Sequence, residues 1–486
     1  MGSTSSSLNE NETPSSPPRK RARTSSPNRS LDQCRPYEKE TRSQWQVLPY
    51  VALTEVYGHL PGRDKFNMAL TCKTWREPFS RPALWRRASF RFNDVDDWRA
   101  LCCVSRVASA LRHVTVDCAA SDIPADKSVG SADNLAYFFR CLVNAKNCRL
   151  TALNVTNMRR LARYLSRPDH DVVTLLTNLL EVQTQLDSLS LRGARLSPDH
   201  GLRLLVSAGL SSGSILSLLD VSDLFATTSP RHDMAANPRF LSVLTVFTNL
   251  SEIDLNHQYL SDDVMYIFSE NLCGKLRKIR VLAHYMGRPE RRTSPETWAH
   301  LCSRCPDLSA DFSVKGVSEY RNACLVLTRA TPLTCLGWTS GIHADSLTAM
   351  LCTEHIAHHF RGTLQNLTLD VCQSFLDDPE ILAKLIERCT CLRKVSVQCG
   401  GLSMSAEMRL ELAIRRVSKG RVPDAVTPPS APPTETPPDT PTDTPTAGLE
   451  IWLNGRKVDL DKKWPLSLTA VWLMETLEAF TEQWSR

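Results

Sequence analysis

A recurring string, L-x-x-L-x-L with aliphatic variants, constrains what this chain can fold into more than any other feature. It stands at Leu111/Val114/Val116, Leu150/Leu153/Val155, Leu186/Leu189/Leu191 and Leu216/Leu219/Val221. It returns at Leu250/Ile253/Leu255, Leu276/Ile279/Val281, Leu333/Leu336/Trp338, Leu364/Leu367/Leu369 and Leu392/Val395/Val397, with a degraded copy at Leu308, Phe312 and Val314. Successive copies start about 25 to 39 residues apart, the period of stacked-repeat architectures. Side chains alternate across a strand, so the last two apolar positions of each string face one side and the residues between them face the other.

The segments between the strings read as helices. Trp298, Leu301, Cys302 and Cys305 fall on one helical stripe, as do Leu382, Leu385, Ile386 and Cys389, where Asp378 can cap and Pro379 can take the first helical position. Val264, Ile267 and Phe268 repeat the pattern after Ser261. A short strand followed by a helix, many times over, predicts an α/β solenoid, curved, with strands on the concave face and helices on the convex one. That concave face would show Ser188, Ser190 and Arg192, then Glu252, Asp254 and Asn256, then Lys278 and Arg280. Asn366, Thr368 and Asp370 follow, then Lys394, Ser396 and Gln398. The mixture of signs suits a protein partner and shows no single-sign strip for nucleic acid. Arg192, Glu252, Asp254, Lys278, Arg280 and Lys394 are the candidate substrate contacts, with Arg192 and Arg280 foremost because arginine is enriched among binding hot spots.

Residues 90–400 resemble leucine-rich repeats. Cys305 and Cys389, each three residues before a repeat Leu, resemble the cysteine-containing subtype, in which the Cys is a small buried hydrophobe.

Ahead of the repeats, the stretch from Trp45 to Trp85 carries more large apolar groups than three short helices can enclose. Leu48-Pro49 suits a helix start. Leu53, Val56, Tyr57 and Leu60 share one stripe. Gly62-Arg63-Asp64 should break that helix and cap the next with Asp64, after which Phe66, Ala69 and Leu70 should face inward. Trp75 and Leu84-Trp85 close the segment, and Ala88–Phe92 reads as an outgoing strand. The surplus apolar surface points to a docking partner. The order of Leu48-Pro49, Leu53, Val56-Tyr57, Leu60, Asp64, Ala69–Trp75 and Leu84-Trp85 resembles an F-box. The resemblance implies binding to a Skp-type adaptor, and through it to a cullin scaffold, with Leu48, Pro49, Leu53, Val56, Tyr57, Leu60, Trp75, Leu84 and Trp85 as the adaptor-binding set.

A hydrophobic content of 42% and a charged content of 23% are those of a globular protein. The net charge is +6, and residues 1–44 hold eight of the cations and five of the acids, so the folded remainder is only mildly basic. The seventeen scattered Cys read as reduced thiols of an intracellular protein. No secretory leader or bilayer-spanning run is expected, and no stable membrane association. Residues 1–42 read as a disordered tail, 43–88 as the helical module, 89–421 as the solenoid and 422–447 as a Pro/Thr-rich linker with Thr-Pro at Thr427, Thr436, Thr440 and Thr444. Residues 448–486 read as a hairpin over Asn454-Gly455 and then a helix opened by Pro465, docking on or capping the solenoid. Pro17–Arg23 is a basic cluster, either a nuclear-import signal or a solvated tail, and Met1-Gly2 with Ser6 fits the loose myristoylation pattern. The expected localisation is nucleus and cytoplasm.

No Walker loop, dinucleotide fingerprint or nucleophile elbow is present. Cys302-x-x-Cys305 lies on an apolar stripe without a second pair, and Cys352, His355, His358 and His359 lack the metalloprotease order, so no metal, cofactor or catalytic residue is expected. The reading is a non-catalytic substrate receptor of a Skp/cullin/F-box ubiquitin ligase. The alternatives are a repeat scaffold or inhibitor acting without ubiquitin transfer, and an enzyme within an unrecognised α/β domain. The sequence does not name the substrate or say whether it must be modified.

Overall fold

A computed structural model describes residues 48–60, 62–92, 101, 104–118, 128–161, 172–226, 233–284, 293–317, 324–340, 346–371, 379–400, 404–420 and 449–458. The chain divides into two units, Met1–Pro49 and Tyr50–Arg486. Of the first, only Leu48 and Pro49 are described, half-buried and exposed respectively. The basic cluster, Gly2, the Thr-Pro pairs, Asp378 and the segment from Pro465 onward lie outside the described residues.

The second unit opens with helices Tyr50–His59, Gly62–Thr71 and Lys73–Arg76, followed by 3-10 turns Glu77–Ser80 and Pro82–Trp85. The second helix already begins at Gly62, so Gly62-Arg63-Asp64 opens that helix and does not break the chain. Asp64 lies in the first turn, where its charge favours the helix dipole, and does not cap it.

One 13-stranded sheet follows. Its strands are β1 (Arg87–Arg91), β2 (His113–Asp117), β3 (Ala152–Thr156), β4 (Ser188–Ser190), β5 (Leu218–Asp220), β6 (Glu252–Asn256) and β7 (Lys278–His284). β8 (Ser309–Val317), β9 (Leu333–Ser340), β10 (Asn366–Val371), β11 (Lys394–Cys399), β12 (Glu450–Leu453) and β13 (Arg456–Lys457) complete it. Spatial order equals chain order throughout, and all pairings are parallel until β12 turns antiparallel into β13. Parallel crossovers are right-handed, so strands added always on the same side place every intervening helix on the same face. This is the solenoid-like arrangement of leucine-rich repeats.

Every apolar residue of the nine full strings is at most 4% exposed. The degraded copy is a true repeat, with Leu308, Phe312 and Val314 all buried and Val314 in register with Ala283 and Trp338. The helices begin where side chains can accept their free N–H groups. Ser197, Ser261 and Ser294 accept from His200, Val264 and Thr297, and Pro198 and Pro295 take the first helical positions. The repeats approach so closely at Gly213 that a Cβ there would lie 2.4 Å from Gly209 O and 2.8 Å from Val246 O. The last strands turn over Asn454 (φ 44°) and Gly455 (φ 79°), the left-handed pair that a tight hairpin needs. Arg456 holds this hairpin against helix Met404–Gly420 through Glu407 at 3.0 Å and Glu411 at 3.2 Å.

Candidate functional site

Two surfaces carry the candidate residues. The first is the helical module. Its interior is an aromatic cluster centred on Phe79, which meets Trp85 at 5.0 Å, Phe66 at 5.2 Å and Tyr57 at 6.2 Å between ring centroids. Trp85 Nε1 donates to Phe79 O at 2.7 Å, and Tyr57 Oη donates to Trp75 O at 2.7 Å. Burial, with the neighbouring Cys72, pushes the Tyr57 hydroxyl up to about 12. Lys65 lies in this interior with its ammonium 5.8 Å over the Trp85 ring and bonded to Leu84 O at 3.3 Å; burial lowers its pKa. Neither Phe79 nor Lys65 stands out in the sequence. Phe79 lies within the short 3-10 turn Glu77–Ser80, which has no helical period, and a lysine ordinarily signals solvent.

This geometry divides the adaptor-binding set. Leu53, Tyr57, Leu84 and Trp85 fill the module's own interior, because i and i+4 on a short helix share the face that packs inward. Trp75 and Leu60 are half-buried. Val56 remains outside at 43% exposed, joined by Tyr50, Val51 at 76% and Leu70 at 68%. Leu70 therefore points away from the core, and the inward face of its helix is Lys65, Met68 and Ala69. Tyr50, Val51 and Leu70 are the exposed residues that a reading by helical stripe misses.

The second surface is the strand face turned away from the helices. Parallel registers set Ser190, Asp220, Asp254, Arg280 and Asp311 side by side on consecutive strands. Cys335, Asn366, Lys394 and Glu450 continue the row. Glu252 and Lys278 face each other in the adjacent row. Of the candidate substrate contacts, Asp254, Arg280 and Lys394 stand in this row and Glu252 and Lys278 in the next, but most of them are already engaged. Arg280 donates from Nη1 to Asp254 Oδ1 at 2.8 Å and from Nη2 to Glu252 Oε2 at 2.6 Å. Lys278 pairs with Asp311 at 2.8 Å. Burial and the neighbouring Asp220 charge raise the Asp254 carboxyl in spite of Arg280, while the two carboxylates raise Arg280 against its own burial. Lys394 sits 5.9 Å over the Trp452 ring. Arg192 is exposed, with no hydrogen bond or ion pair from its side chain to the described residues.

At the strand ends, Asp223 accepts from Asn256 Nδ2 at 2.8 Å and lies 3.4 Å from His284 Nε2. Burial would raise this carboxyl, but the His284 and Asn256 hydrogen bonds and the nearby cations outweigh it and hold it at about 2. His257, fully enclosed behind the same strand, is driven down to about 4 by burial.

Cys305 is buried and its thiol donates to Leu272 O at 3.3 Å; Cys302 is half-buried and burial raises its thiol. His355 Nε2 bonds Leu327 O at 2.9 Å, its Nδ1 lies 3.7 Å from Cys324 Sγ, and its ring meets His359 at 4.6 Å. Among the described residues no group of three or more His, Cys, Asp or Glu could hold a metal ion, and no helix is long and apolar enough to cross a membrane.

An F-box-like family model matches residues 45–91. The chain is similar to F-box/LRR-repeat protein 21 of Mus musculus, at 23% identity over 247 residues, covering 49% of this chain and 51% of that protein. The counterpart from Bos taurus is also 23% identical, over 276 residues, covering 54% of this chain and 58% of the other. That from Ovis aries is 23% identical over 251 residues, covering 50% and 52%. The chain thus spans about half the length of the curated relatives it matches. Helical module, parallel sheet and similarities agree: the chain carries an F-box-like domain followed by leucine-rich repeats.

Proposed function

We propose that this chain is the substrate-recognition subunit of a Skp/cullin/F-box ubiquitin ligase and performs no chemistry itself. The observation that carries the reading is the junction. The F-box-like module ends at Trp85, and Arg86 alone separates it from Arg87, the first residue of β1. So short a link cannot swing freely. A protein held on the strand face is therefore kept at a fixed reach from whatever the module binds. Fixed reach raises the effective concentration of substrate lysines near a charged ubiquitin carrier.

The adaptor is taken by Tyr50, Val51, Val56 and Leu70, the apolar side chains that the helices leave exposed, and the sequence landmarks Leu48 and Pro49 immediately precede them in the chain. Exposed apolar groups gathered on so small a module favour a partner over solvent. The substrate is taken by the strand face. Among the described residues the Arg192 guanidinium makes no hydrogen bond or ion pair, whereas Arg280 is held by Glu252 and Asp254 and Lys278 by Asp311. The basic cluster Pro17–Arg23 supports nuclear as well as cytoplasmic residence, which Ala replacement of Arg19, Lys20 and Arg21 in a fluorescent fusion tests.

Affinity purification of the full chain with degradation blocked tests the main reading. A Skp-type adaptor and a cullin should co-purify, and both should be lost when Leu48 and Pro49 become Ala. A repeat scaffold acting without ubiquitin transfer would retain its partners and bring down neither.

A further inference from the structure

On the strand face the carboxylates are held by close donors, whereas three arginines at one end make no direct ion pair with a described residue. From β5 to β8 each carboxylate has its own donor: Asp220 takes Ser190 Oγ and the Ser222 N–H, Asp223 takes Asn256 and His284, Glu252 and Asp254 take Arg280, and Asp311 takes Lys278. Three arginines at the ends of β3 and β4 have no such partner. Arg159, Arg192 and Arg195 are all exposed, and none of their side chains makes a hydrogen bond or ion pair with the described residues. Their backbones are neighbours. The Asn157 N–H donates to Arg192 O at 3.0 Å and the Arg159 N–H to Gly193 O at 3.3 Å. Arg159 and Arg195 occupy the same place in successive turns, one strand spacing apart, where like charges repel. Asp254 and Asp223 act on Arg192 and Arg195 only from beyond ion-pair range.

The backbone adds a second observation. Asn157, Gly193 and Asp223 stack in left-handed conformation with φ of 62°, 70° and 53°, positions that Asn, Gly and Asp tolerate. Arg195 is also left-handed, at φ 48°, with neither the missing Cβ nor the short side chain that eases it. The turn holds a reluctant arginine beside two others, and among the described residues no carboxylate lies within ion-pair distance of them.

We propose that Arg159, Arg192 and Arg195 form an anion-binding site for an acidic or phosphorylated segment of the substrate; the assignment rests on the strand face being the substrate surface. Guanidinium groups suit carboxylate and phosphate because their paired N–H groups match both in bidentate geometry. Asp254, Glu252 and Asp311 are engaged at short range by Arg280 and Lys278, so they act on these arginines only at longer range.

The test uses the purified full chain and three fluorescent peptides: one glutamate-rich, one carrying phosphothreonine in a neutral sequence, and one with every acid replaced by Gln. Binding of either anionic peptide, weakening with added salt, is expected, with no binding of the neutral one. The triple variant Arg159→Gln, Arg192→Gln, Arg195→Gln should bind it roughly tenfold or more weakly, since loss of a hot-spot arginine typically costs that much. The control Lys146→Gln with Arg203→Gln, which removes exposed cations elsewhere, should bind like the parent. The stronger of the two anionic peptides identifies carboxylate or phosphate as the source. Equal loss in the control, no binding of either anionic peptide, or equal binding of an oligonucleotide of matched charge would each overturn the proposal. Adaptor co-purification by the triple variant is read separately and reports on the F-box assignment alone.

Discussion

Replacing Arg280 by Gln should destabilise the folded chain, and the deficit should shrink on acidification. The residue joins two strands through Asp254 at 2.8 Å and Glu252 at 2.6 Å. A hydrogen bond to a charged group contributes about 1.5–3 kcal/mol when enclosed. Arg280 and Glu252 are each about a third exposed, so solvent screens much of this, whereas the Asp254 side chain is only 11% exposed. About 2 kcal/mol at pH 7 is a fair sum, most of it from leaving Asp254 ionised without its counter-charge. The sign with pH follows from Asp254. Its folded-state pKa is raised above the ordinary 3.8, so its charge costs stability at neutral pH and the cost is relieved as pH falls through the folded value. Removing the guanidinium raises it further. Parent and variant stabilities should therefore converge as pH falls from neutral, compared at pH 7 and in mild acid. Urea titrations at both pH values measure the difference, with circular dichroism as the probe. A variant as stable as the parent at pH 7, or a deficit that does not change with pH, would refute the structural role given to Arg280. The same reasoning makes Arg280→Glu an unsuitable probe of substrate binding, because it adds a carboxylate to Glu252, Asp254 and Asp311.

Gly213→Ala should cost about 1–3 kcal/mol, because its Cβ would press on backbone carbonyls at Gly209 and Val246 that no rotamer can move away; thermal melting measures it. Leu189→Ala, Leu255→Ala and Leu369→Ala should each cost about 2–5 kcal/mol, with hydrogen exchange rising mainly in the adjoining repeats. Val51→Asp with Leu70→Asp should abolish adaptor co-purification while leaving the melting temperature within about a degree or two, since both side chains are already in solvent; Trp85→Ala should instead lower it by unseating the Phe79 cluster. Acidification from about pH 6.5 should weaken the repeats around β5 and β6, through His257 first and through Asp223 below about pH 4. The Asp223 carboxylate contributes stability above its unfolded value that is lost as pH falls toward about 2, and buried His257 must charge to gain what unfolding offers it below its ordinary 6.5. Urea midpoints at pH 7, 5 and 3 read this out.

The repeat core was legible because its rule is local. Leu189 and Leu191 are two residues apart on a strand, and the pleat sends both to the same side whatever the rest of the chain does. The strings thus foretell β2 to β11, their parallel order and their buried members, including the poorly formed copy at Leu308, Phe312 and Val314. The landmarks from Leu48 to Trp85 likewise mark the F-box-like module from residue order alone.

Which of those landmarks face outward was not legible. A helix of ten residues has one face for the core and several for solvent, and the choice depends on Phe79, which arrives from outside the helix and draws in Leu53, Tyr57 and Trp85. Arg280 and Arg192 look alike as exposed strand positions. Glu252 and Asp254, 28 and 26 residues earlier, are brought against Arg280 by the register of β6 on β7, and nothing comparable among the described residues reaches Arg192. Period and turn chemistry are written in neighbouring residues, and so the sequence by itself determined the repeats, their direction and the helical module before them. Charge pairing acts across strands, between residues that only packing brings within a few ångströms, and so the tertiary structure alone decided which cations are spent within the fold and which remain for a partner.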